Sequence, residues 1–135
     1  MKLHNTAFLS AGLLPLLAGC VTTPLALAPV GPQTTRPAAP VSPGELQVFS
    51  ATVKSIPTAS DDLTCFDLHT GYAIHDAAGQ TLTFVPNHDG NLDEWPDQVP
   101  LPAGHYTVLA QSARFGLVSV PVAIQAGATT IVRLE

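Results

Sequence analysis

From about residue 46 onward the sequence predicts an all-β fold, a single antiparallel β-sandwich of the immunoglobulin-like kind, and three observations carry that prediction. No stretch there keeps a helical 3.6-residue period for ten residues. Apolar side chains alternate instead over short runs: Tyr106, Val108 and Ala110; then Val118, Val120, Val122 and Ile124; then Thr130, Val132 and Leu134. Turn residues (Ala77-Ala78-Gly79, Pro102-Ala103-Gly104, Ala126-Gly127-Ala128) punctuate these runs at roughly ten-residue spacing, the rhythm of a sandwich.

Taken in order, residues 46–55 are β-rich, and their alternation slips between Val48 and Phe49, where a bulge or twist fits. Residues 57–64 form a polar loop. Short strands follow at 65–69 and 72–76, or one strand bent at Gly71, with Cys65 a small buried side chain. The Gly79 turn sends the chain back through 80–85 as a hairpin partner. A polar loop covers 86–96, a strand stub 99–101, and longer strands 105–112, 116–125 and 129–135. Pro121 marks an edge or a bulge in the second of these, because it lacks an amide donor.

The chain ahead of this domain is different. Val21 to Glu45 holds six prolines in 25 residues and only two charges, Arg36 and Glu45. Proline fixes φ and removes donors, so a disordered, extended tether is expected over 20–45, at about 3.1 Å per residue and reaching on the order of 70 Å. The first twenty residues read MKLHNTAFLSAGLLPLLAGC. A positive start at Lys2 precedes an apolar run from Ala7 to Ala18, which is short of the roughly 20 residues a membrane-spanning helix needs and right for a signal peptide. Residues 1–19 are therefore expected to be removed.

What remains is one domain's worth of chain with four basic and ten acidic residues. No basic face can be assembled from four scattered cations, which excludes nucleic acid as a partner. Cys20 and Cys65 are the only cysteines.

Leu17-Ala18-Gly19-Cys20 resembles the lipobox of bacterial lipoproteins: an aliphatic residue, two small ones, then the cysteine. That resemblance implies cleavage before Cys20, lipidation of its thiol and a membrane anchor in the cell envelope, with no disulfide framework left to build. Val21, in place of aspartate, implies the outer membrane, facing the periplasm or the exterior, in a Gram-negative host. The segments YAIHDAAGQTLTFV, LPAGHYTVLAQS and VSVPVAIQAGATTIVRLE resemble the carboxypeptidase-regulatory-like, transthyretin-like (prealbumin-like) domains, with Tyr106 in the core. This second resemblance spans residues 46–135. It implies a sandwich with a structural or accessory binding role and transfers no catalytic residue. A fold alone does not specify function.

Four candidate chemistries remain. Asn87, Asp89, Asn91 and Asp93 place oxygen donors at every second position of the 86–97 loop, a stagger that could converge on Ca2+, with Glu94 and Asp97 nearby. The loop is not an EF-hand, since counting from Asn87 its sixth and twelfth places hold Leu92 and Gln98, and exposed turns use the same residues. Trp95 is either a stacking platform for a glycan or an envelope protein, or a lid over the end of the sandwich. His69 and His75 could share a sheet face, yet no zinc-site spacing is present. Without a nucleophile elbow, a phosphate-gripping glycine loop or a metalloprotease motif, the chain is expected not to be an enzyme; Cys65 beside a histidine is the one thiol option. No cofactor other than calcium is suggested.

Overall fold

The structure, a computed structural model, describes residues 22–35, 42–56 and 64–135. The signal segment and Cys20 lie outside the described residues, as do 36–41 and 57–63. Among the described residues the chain is all β, a sandwich with no helix. Eleven strands run in chain order: β1 (Leu25–Ala26), β2 (Pro32–Thr35), β3 (Gly44–Phe49), β4 (Thr52–Ser55), β5 (Phe66–His69), β6 (Tyr72–His75), β7 (Thr81–Val85), β8 (Gln98–Leu101), β9 (Gly104–Ser112), β10 (Gly116–Ile124) and β11 (Ala128–Arg133).

One sheet has the order β1-β10-β9-β6-β7 and the other β2-β11-β3-β8, with β4 and β5 forming a small third pair. The alternating residues named from sequence make the interface between layers. Val108, Val118, Val120 and Val122 from the first sheet meet Leu46, Val48 and Val132 from the second, all at most 2 % exposed. Each such side chain contributes on the order of 1.5–3 kcal/mol relative to an exposed one. Two pairings are parallel, β1 with β10 and β3 with β11, so the sandwich is mixed in detail.

The slip at Val48–Phe49 is resolved by a break rather than a bulge. β3 ends at Phe49, and after Ser50 and Ala51 the chain leaves the sheet to pair β4 with β5. The strands flanking Gly71 are two, not one bent strand: β5 belongs to the small pair and β6 to the five-stranded sheet. His69 and His75 therefore do not share a face. The 76–80 hairpin turns at Gly79, where φ is +81°. Asp76 secures it by accepting from the amides of Ala78 and Gln80 through Oδ1, both at 2.9 Å.

The N-terminal segment corrects the sequence reading. Residues 22–35 are not a disordered tether. β1 lies beside β10, Val30 bridges to Val122, and β2 pairs with β11, so the segment borders both layers. Leu27 and Val30 pack against the core. Proline permits this because each strand here is an edge, with neighbours on one side only. Pro121 departs from the expected edge or bulge: β10 lies between β9, in unbroken register, and the β1–Val30 segment, and the Pro121 carbonyl accepts from Val30 N at 2.9 Å. At the irregularity in the β2–β11 register, Gln33 substitutes its side chain for backbone, donating from Nε2 to Ile131 O at 3.1 Å and accepting from Ile131 N at 2.6 Å.

Candidate functional site

One end of the sandwich gathers the irregular chain. The β9–β10 turn (113–115), the Ser50–Ala51 link, the loop after β7 and the C-terminus all meet there. Ala51 N donates to Gln111 O, Ala113 N to Leu134 O and Leu134 N to Phe49 O, at 2.7–2.8 Å. The 86–97 loop rises from this end.

Asn87 is the root of that loop and is fully buried. Its φ of +70° is a left-handed conformation that asparagine tolerates better than most residues. From that turn the amide points into the protein. Nδ2 donates toward Val48 O (2.9 Å), Ser50 Oγ (3.1 Å) and Thr70 O (3.3 Å), while Oδ1 accepts from Asp97 N at 3.1 Å. Ser50 Oγ donates in turn to Thr70 O at 2.6 Å. The buried His69 reaches Ser50 O through Nδ1 at 2.7 Å; a carbonyl can only accept, so that nitrogen carries the proton. The result is a buried polar knot that ties β3, the link between β5 and β6, and both ends of the loop.

Two of the four oxygen-bearing residues considered for calcium, Asn87 and Asp93, are engaged within the protein. Asn87 gives both of its polar atoms to the interior. The Asp93 carboxylate accepts from Asp89 N through Oδ2 (3.2 Å) and from Trp95 N through Oδ1 (3.1 Å), which staples the loop from within. Asp89 and Asn91 are exposed. The four alternating oxygens thus do not converge, and among the described residues no group of three His, Cys, Asp or Glu side chains could hold a metal. Alternation in sequence implies convergence only if the backbone curls around a point. Here it is pinned outward by Glu94, which accepts from Asp67 N at 2.9 Å, and by Pro96, whose carbonyl accepts from Gln47 Nε2 at 3.2 Å.

Trp95 is 73 % exposed and does not cover the sandwich. Of the two alternatives for this residue, that exposure is at odds with the lid. Leu92 in the same loop is exposed as well. Cys65 corrects another expectation: it precedes β5 and is exposed rather than buried in a strand. Of the remaining histidines, His75 Nδ1 lies 3.2 Å from Gly79 O and His88 Nδ1 lies 2.9 Å from Gly90 O, both in local turns. His105 is exposed on β9.

Tyr72, which the sequence did not single out, is the largest fully buried side chain, and its hydroxyl has no hydrogen-bond partner among the described residues. Burial, with a smaller push from the Asp97 carboxylate, holds that hydroxyl well above the usual phenol range. An unfolded tyrosine ionises near pH 10 and the folded one does not, so stability is unaffected below that pH. Above it, stability falls by about 1.4 kcal/mol per pH unit. Tyr72→Phe should flatten this alkaline loss in melts between about pH 9 and 11. The same change should add about 1 kcal/mol at neutral pH, because it removes an unsatisfied buried hydroxyl.

No family model, curated protein or solved structure matches this chain.

Proposed function

We propose that the chain is a lipid-anchored lipoprotein of the bacterial cell envelope, carrying a non-enzymatic β-sandwich as a structural or accessory binding module. The observation that carries this reading is Leu17-Ala18-Gly19-Cys20 at the end of a short apolar run, Ala7 to Ala18, that follows the positive start at Lys2. Support for a binding rather than catalytic role comes from how the interior polar groups are used. Ser50, His69 and Asn87 each spend a donor on a backbone carbonyl, which ties them into the fold. The likeness to carboxypeptidase-regulatory-like domains agrees with such a role. Labelled palmitate should enter the wild-type chain and not Cys20→Ala, and the variant should be released from membranes; an unlabelled, soluble wild type would refute the reading.

A second reading is favoured by the exposure of Trp95. On this reading the loop presents the indole as a stacking surface for a glycan or for another envelope protein. Titrating the protein with peptidoglycan fragments or lipopolysaccharide should then shift its tryptophan emission, and Trp95→Ala should abolish retention on the same material. Unchanged emission across the titration would count against it.

A further inference from the structure

The packing of residues 22–35 removes the spacer that would hold the domain away from the membrane. Only Val21 to Pro24 separate Cys20 from Leu25, the first residue of β1. Fully stretched, that stretch of chain spans at most about 17 Å, roughly two to three headgroup-layer depths and far short of the ~70 Å reach expected of a free tether. β1 is parallel to β10, with Leu25 opposite Val118 and Ala26 opposite Ser119. Residues before Leu25 therefore head toward Gly116 and the β9–β10 turn.

That turn has the composition of a headgroup contact. Phe115 is 50 % exposed, and the Arg114 guanidinium stands 5.0 Å from its ring centre. Lys54 and Arg133 are engaged with Asp67 and Glu135, whereas Arg114 makes no ion pair among the described residues. An aromatic ring and an available guanidinium, side by side, suit the boundary between acyl chains and phosphates. We infer that the Arg114–Phe115 turn docks on the phospholipid surface, Phe115 entering the interface and Arg114 binding a lipid phosphate, with the short Cys20 leash enforcing the contact. This rests on lipidation of Cys20. Asp89, Asp93, Glu94 and Asp97 at the same end disfavour a strongly anionic surface, so a zwitterionic bilayer is the surface that fits.

The test uses the mature lipidated protein in phosphatidylcholine vesicles containing brominated lipid, in a W95F background. F115W emission should fall by about half or more, the behaviour of an indole at the interface, while A103W on the turn at the opposite end keeps its intensity. Lengthening the leash by a glycine-serine insert after Thr22 should weaken the quenching without detaching the protein. Flotation with the vesicles but no quenching of F115W, or equal quenching of both variants, overturns the docking and leaves lipidation standing. Failure to float overturns both.

Discussion

A chain from which residues 22–35 are deleted, with the signal and Cys20 kept, should lose most of its stability. A disordered tether would predict no change at all. The deletion strips β1 and β2 from both layers and removes Leu27 and Val30 from the core margin. It also leaves Ser119 O, Pro121 O and Ala123 N without their present partners. Half-buried aliphatic side chains contribute about 1 kcal/mol each, and each backbone bond returned to water about as much, partly offset by the ordering cost that is no longer incurred. A net loss on the order of 3–5 kcal/mol would consume much of the 5–15 kcal/mol typical of a domain, and the melting temperature should fall by more than about 10 °C. Thermal melts of the two chains decide the matter: coincident curves would restore the tether. A milder form, Val30→Asp, should lower the midpoint in the same direction, since it places a charge against Val122 at the bridge.

The contrast between what could and could not be read in advance has a physical origin. Val118, Val120, Val122 and Ile124 alternate because β10 has one face on the core, and a period of two in the sequence is the direct imprint of that half-burial. The strands β9 and β11 were legible for the same reason. Residues 22–35 were not, because the proline count dominates the segment, while the informative residues are only Leu25, Leu27 and Val30. Proline excludes a central strand but says nothing against an edge, and whether an edge exists depends on a border exposed elsewhere in the fold. The candidate site was legible in position only. The 86–97 loop was singled out for its oxygen-bearing side chains, yet a side chain's chemistry does not tell which way it points. A left-handed φ turned Asn87 inward, and Asp93 was taken up by the amides of Asp89 and Trp95. Both uses are local backbone satisfaction, the commoner role of these residue types in turns.

Asn87 is accordingly the residue whose loss should cost most among single substitutions. Asn87→Ala removes the donors aimed at Val48 O, Ser50 Oγ and Thr70 O and the acceptor for Asp97 N, all at a site with no exposure to water. Leaving buried groups unpaired costs roughly 1–3 kcal/mol each, and alanine at φ near +70° adds about 1 kcal/mol of backbone strain. A total of about 4 kcal/mol is expected, read as a lower urea midpoint with an unchanged slope. Asn87→Gly isolates the second contribution: glycine accepts the backbone conformation, so the variant should recover only about 1 kcal/mol. Asn87→Asp keeps one acceptor but turns a carboxylate toward two carbonyl oxygens, and it should be no more stable than the alanine variant. Because Asn87 and Asp97 close the loop at its base, the alanine variant should also admit protease near Trp95 at a denaturant concentration where the sandwich remains folded. If Asn87→Ala unfolds within about 1 kcal/mol of the wild type, the buried knot is not what holds this end of the molecule together.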